Sequence, residues 1–163
     1  QSAYMLSKGG NISEQTLAEE AASLLKALQQ RSKEAPDAYK QPIYVGIYQV
    51  GPRSRALSGK RIEELAHFPD MTPEEYIAGQ MVYPVDLLEK NIPGFALCEF
   101  TIDKEGVILR PHILRSTHPE FAEEALRIVK GMPKWSPALA GGKPADSNYT
   151  LYVPFRPQLY RNK

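Results

Sequence analysis

The chain has 163 residues, 42% hydrophobic and 24% charged, with a formal net charge of +1 at pH 7. This is the balance of a globular chain, of a length for one ordinary domain plus an appendage or for two very small units. It gives no reason to expect nucleic acid or an anionic membrane surface as partner. No stretch approaches the roughly 18 to 20 apolar residues that span a bilayer, and the single cysteine, Cys98, cannot close an internal disulfide.

Residues 1–10 read as a loose tail. Asn11 or Ser13 can cap a helix, and Leu17, Ala21, Leu24, Leu25 and Leu28 then fall on one face. The spacing predicts an amphipathic helix over 13–33. Its stripe is expected to pack on the chain's own core, with a partner helix or another copy of the chain as the alternative. Pro36 breaks the pattern. Ile43–Val50 is rich in β-branched and aromatic residues and predicts a strand, ended by Gly51-Pro52. Arg53, Arg55, Lys60 and Arg61 form a basic loop, expected to be solvated, with an anion or cell-wall contact as the functional alternative.

Thr72-Pro73-Glu74-Glu75 is a capping box with proline at the first helical position. It predicts a short helix to about Met81, with Tyr76, Ile77 and Met81 facing inward. Tyr83-Pro84 redirects the chain. A second short helix is expected over 85–91 with Val85, Leu88 and Ile92 inward, and Pro93-Gly94 ends it.

From Phe95 to Ile102, Phe95, Leu97, Glu99 and Thr101 alternate with Ala96, Cys98, Phe100 and Ile102. A period of two with one wholly apolar set predicts a half-buried strand. Asp103-Lys104-Glu105-Gly106 is a hairpin turn signal, and Val107–Leu114 is the returning strand. Pro111 inside it has no N–H to donate, which predicts an edge position or a bulge. Pro119, Glu120, Glu123 and Glu124 open a helix whose apolar stripe is Phe121, Ala125, Ile128 and Val129, and Lys130-Gly131 closes it. Two prolines around Trp135 exclude regular structure there, and Trp135 is expected to anchor the connection in the core. Ser147–Phe155 is the last strand.

No constellation in the sequence carries catalysis. His67, His112 and His118 have no partners at metal-ligand spacing. Asp103 and Glu105 are turn carboxylates, and Ser116 and Ser136 lack a nucleophile's setting. No Gly-rich phosphate cradle is present. The expectation is a protein that is not an enzyme, with no catalytic residue, no metal and no cofactor. Cys98 is expected to be a small buried hydrophobe.

Tyr83-Pro84, Gly94, Phe100-Thr101-Ile102-Asp103, Glu105-Gly106, Arg115-Ser116, Pro133-Lys134-Trp135-Ser136-Pro137-Ala138, Gly142-Lys143-Pro144 and Val153-Pro154-Phe155 occur here in an order and spacing that resembles the TonB C-terminal domain family. Upstream, His67-Phe68-Pro69 and Tyr76-Ile77 resemble the lead-in of TonB-like proteins of Bacteroidetes type. The likeness covers about residues 68–155, and residues 1–60 share none of it. It implies a periplasmic protein of TonB-dependent transport, secreted by a cleaved signal peptide or anchored to the inner membrane by a segment outside this chain. It also implies a site. In the family the last strand offers its edge to the TonB box, a short peptide of an outer-membrane receptor. That assigns peptide binding to Ser147, Asn148, Tyr149, Thr150, Leu151, Tyr152 and Val153, with Tyr83 and Pro84 in a segment near the receptor. The family's transducers carry a membrane helix and a Pro/Lys-rich spacer. Residues 1–60 read otherwise, so force transduction is not expected from this chain itself.

The sequence thus predicts an α+β fold. A small antiparallel sheet of about three strands carries helices packed on one face. Residues 1–60 form an N-terminal helical extension, with the 43–50 strand able to join the sheet, and residues 61–163 form the TonB C-terminal-like domain. The alternative function is a periplasmic structural or adaptor protein that self-associates as a homodimer or binds cell wall.

Overall fold

In the computed structural model the described residues are 43–45 and 47–162, together with Ser23 and Lys26. The helix expected over 13–33 otherwise lies outside the described residues, as does the tail before it.

The apolar run at 94–102 forms β3 (Gly94–Ile102), which lies in the sheet between β4 (Ile108–Ser116) and β7 (Ser147–Phe155). Pairing with β7 is antiparallel and unbroken from Gly94↔Phe155 to Ile102↔Ser147. The turn into β4 is held by Asp103. Its carbonyl accepts from Gly106 N–H at 2.9 Å, and its carboxylate accepts from Glu105 N–H at 2.8 Å and Val107 N–H at 2.9 Å. Gly106 has φ +85°, and a Cβ there would lie 2.1 Å from the carbonyl oxygen of Trp135. Only glycine satisfies both conditions.

β4 is an edge strand, and its register shifts opposite Glu99–Thr101, where Arg110 takes φ +53° beside Pro111. The proline cannot donate and the bulge absorbs it. The helix expected after His118 is present, numbered here as α3 (Pro119–Lys130), after α1 (Pro73–Gln80) and α2 (Val85–Glu89). Its Phe121, Ala125, Ile128 and Val129 bury against Ala96, Cys98, Phe100 and Ile102 of β3 and Leu151, Val153 and Phe155 of β7. Phe121 stacks on Phe155 with ring centres 4.2 Å apart. α1 opens with the complete capping box of Thr72 and Glu75. A last short helix, α4 (Pro157–Arg161), ties back through Arg161 to Asn91 and the Leu88 carbonyl.

Trp135 is buried and sits edge-on to Phe68 at 5.2 Å and against Tyr149 at 4.8 Å, so it pins the connection between α3 and β7. That connection also contains a small hairpin absent from the expectations, β5 (Ala138–Ala140) with β6 (Lys143–Ala145). Gly141 and Gly142, at φ +62° and +76°, make its tight turn.

Three expectations change. The Ile43–Val50 run is not one strand but a reversal. β1 (Ile43–Val45) pairs with β2 (Tyr48–Pro52) in the register Ile43↔Val50, Tyr44↔Gln49, Val45↔Tyr48. β-propensity reports pleated backbone and not where it turns. The hairpin joins the sheet beside β7, giving the order β1-β2-β7-β3-β4. Second, β3 is covered on both faces at its start. Phe95 and Leu97, on the face away from the helices, are buried with Tyr152 under Val45 and Val50 of the hairpin. Third, α2 turns Leu87 inward and leaves Val85 63% exposed. One turn of helix is too short for spacing to fix its inner face.

Candidate peptide-binding edge

The expected site residues Ser147–Val153 are one uninterrupted piece of β7. Their side chains are mostly inside. Ser147, Thr150, Leu151, Tyr152 and Val153 are buried, while Asn148 and Tyr149 are half-buried. Tyr149 stacks on Phe100 with centroids 5.7 Å apart. What this stretch has to offer a partner is therefore backbone. One side of that backbone is consumed by β3.

The other side faces β2. Gly51 lies opposite Thr150 and Pro52 opposite Tyr149. Arg53 N–H donates to the Asn148 carbonyl at 3.1 Å, and Leu57 N–H to the Asp146 carbonyl at 2.9 Å. Because outward groups recur at every second residue, the outward positions along β7 and the residue just before it are 146, 148, 150, 152 and 154. The first three are met by the 51–57 segment, and the fifth is Pro154, which has no N–H. The residues that cover this edge are the expected end of the 43–50 strand and part of the expected solvated basic loop.

Arg53 fastens the cover. Its guanidinium donates to the carbonyls of Gln49 at 3.0 Å and Gly51 at 3.2 Å and to Thr150 Oγ1 at 2.8 Å, and lies 3.5 Å from Glu99 Oε2. Glu99 Oε1 is also 3.1 Å from His112 Nε2, and Thr101 Oγ1 donates to Asn148 Oδ1 at 2.8 Å. This polar strip crosses β2, β7, β3 and β4 on the face away from α3. Arg55 serves its own loop, donating to the Gly59 carbonyl at 3.1 Å.

Tyr83 and Pro84 sit at a distance from this edge in sequence and are held from within. The Tyr83 ring is buried edge-on to Phe121 and Phe155, each at 5.7 Å, and its hydroxyl donates to the Ile92 carbonyl at 2.5 Å. Burial pushes its pKa up from the ordinary tyrosine value. The exposed members of the segment are Val82 and Val85. Their backbone is positioned by a residue that the sequence pattern did not single out for this role. Glu124, on α3, is buried and accepts from Val82 N–H at 2.7 Å. Arg127 grips the same carboxylate at 2.7 and 2.6 Å and donates to the Gln80 carbonyl at 2.8 Å.

The histidines do not converge. His112 belongs to the Glu99 strip, His118 caps the start of α3 against Phe121 at 5.3 Å, and His67 N–H pairs with the Ser136 carbonyl. Among the described residues no group of three or more His, Cys, Asp or Glu is placed to hold a metal ion. Cys98 is buried, and burial drives its thiol pKa up to about 12. No described helix is long and apolar enough to cross a membrane.

No curated protein sequence matches the chain significantly. Among solved structures, the chain is similar to the Pseudomonas aeruginosa TonB C-terminal domain determined by solution NMR. The match has 26% identity and covers 47% of this chain and 77% of that one, with a TM-score of 0.40. The family model for the C-terminal part of Gram-negative bacterial TonB proteins matches residues 79–157, from the end of α1 to the start of α4. By that match, residues 79–157 of this chain belong to the TonB C-terminal domain family.

Proposed function

We propose that this chain is a non-enzymatic periplasmic module of TonB-dependent transport that takes an extended receptor peptide, the TonB box, by strand addition at the β7 edge. Ser147–Val153 supply the backbone hydrogen bonds, and the Tyr83-Pro84 segment contacts the receptor beside them. Strand addition draws affinity from main-chain pairing and specificity from alternate side-chain pockets. The observation that supports the reading is an asymmetry in β7. Its inner side is paired from Gly94↔Phe155 to Ile102↔Ser147, whereas among the described residues its outer side meets a strand only at Gly51↔Thr150 and Pro52↔Tyr149. The lightly held side is the one that a partner strand would take.

The test is a titration of ¹⁵N-labelled protein with a synthetic TonB-box peptide. Amide shifts concentrated at Asn148–Val153 are the expected result, and unchanged amides there would sink the reading. Self-association is the second reading, favoured by Tyr44 and Ile47 of the hairpin, which are 57% and 83% exposed. Sedimentation at increasing concentration decides it, and a constant monomer mass removes it.

A further inference from the structure

We propose that the β1–β2 hairpin is a displaceable internal cover of the β7 edge, so that a receptor peptide gains its site by exchanging with the chain's own Gly51–Arg53. This rests on the peptide-binding reading above and concerns how that site is controlled.

The geometry demands some such exchange. Positions 148 and 150, in the middle of the outward set, are taken by Arg53 and Gly51, and Pro154 at its end has no N–H. An edge so occupied cannot seat a peptide strand. Either the edge is closed to partners or β2 leaves.

The way the hairpin is held favours leaving. Val45 and Val50 belong to a small cluster with Phe95, Leu97 and Tyr152 that is separate from the main core. Immediately downstream, Ala56 and Ile62 belong to the main core. The hairpin can therefore lift without drawing α3 or its contacts apart. Gly51 stands at the junction with φ +100° and nothing within 4 Å of where a Cβ would be. That is a backbone state open chiefly to glycine, placed where β2 passes from pairing with β1 to pairing with β7.

The clamp is also built to release. The side chains of Arg53 and Glu99 are 26% and 24% exposed, so neither is a deeply buried charge. When Arg53 departs, Glu99 keeps His112 at 3.1 Å. An ion pair of this exposure separates without stranding an unsolvated group. A cover that must open before binding lowers the apparent affinity by the fraction of molecules already open.

Two measurements on the full chain test this. In the first, Pro52→Cys and Tyr149→Cys are introduced together. They occupy the opposed pair between the hydrogen-bonded positions, where side chains approach closely enough for a disulfide. The reduced form controls for the substitutions. A TonB-box peptide is expected to bind the reduced form at least ~10-fold more tightly than the oxidised form, and Arg53→Ala is expected to bind it several-fold more tightly than the parent. Equal binding by oxidised and reduced forms, with shifts at Asn148–Val153, overturns the cover and leaves the peptide site standing.

The second measurement needs no peptide. Native-state hydrogen exchange is expected to release the Arg53 amide at least ~10-fold faster than the amides that join β3 to β7. Equal protection overturns a separately opening hairpin whatever the peptide does. Fast hairpin exchange without peptide binding to any form overturns the peptide reading instead, and with it the cover's role.

Discussion

Gly51 of the hairpin lies directly opposite Thr150 of the last strand, and this one pairing changes which backbone the domain presents. Thr150 is fully buried, its hydroxyl accepting from Arg53 at 2.8 Å. The segment that resembles a receptor-binding edge is therefore an interior strand of the isolated chain over half its length.

Arg53 should be irreplaceable by lysine. Its planar fork reaches two carbonyls, a hydroxyl and a carboxylate at once, and a lysine ammonium cannot match that geometry. Arg53→Lys is expected to cost about 1 kcal/mol, close to Arg53→Ala. Urea denaturation of the two variants checks it, and a lysine variant as stable as the parent would refute the clamp.

Gly106 and Gly79 should respond to alanine in opposite directions. At Gly106 a Cβ meets the Trp135 carbonyl at 2.1 Å and φ is +85°, whereas at Gly79 in α1 nothing lies within 4 Å. Gly106→Ala should cost at least about 2 kcal/mol. Gly79→Ala should stabilise by roughly 0.5 kcal/mol. Thermal denaturation of both variants is the check.

Glu124→Ala should destabilise by about 2 to 4 kcal/mol. It removes the acceptor of Val82 N–H and leaves Arg127 without its carboxylate. The structural signature is local: the Val82 amide resonance should move while those of β4 stay in place. Glu124→Gln, which keeps an acceptor, should recover part of the loss.

The Cys98 thiol should react only through unfolding. Its pKa is raised from 9.0 to about 12, chiefly by burial. A thiol whose folded pKa is raised contributes stability that is intact below pH 9 and is lost as pH rises through the 9 to 12 window. Alkylation at pH 8 should therefore follow the global unfolding rate and become immediate in denaturant, and stability should fall above pH 9. Fast native labelling would contradict the burial.

Much of this was legible in the residues themselves. The alternation from Phe95 to Ile102, the turn ending at Gly106, the stripe of α3 and the capping box at Thr72 are local signals, because they arise from contacts a few residues apart. The ordered series from Tyr83-Pro84 to Val153-Pro154-Phe155 was enough to indicate the family. Other features were not legible because they depend on pairs distant in sequence. Nothing near Glu124 announces that its carboxylate will hold the Val82 amide, forty-two positions away.

The sequence by itself determined a strand, turn, strand, helix, strand unit, and its family resemblance marks the last of these strands as the one expected to meet a partner. Only the tertiary structure decided that Ile43–Val50 folds back on itself and that its second arm lies along β7. The reason is physical. Alternation in a strand specifies which side chains face the core, but every strand carries the same outward N–H and C=O groups whatever its side chains. Which strand satisfies the outer side of β7 is therefore written in the fold, through Gly51, Pro52 and Arg53, and not in the sequence of β7.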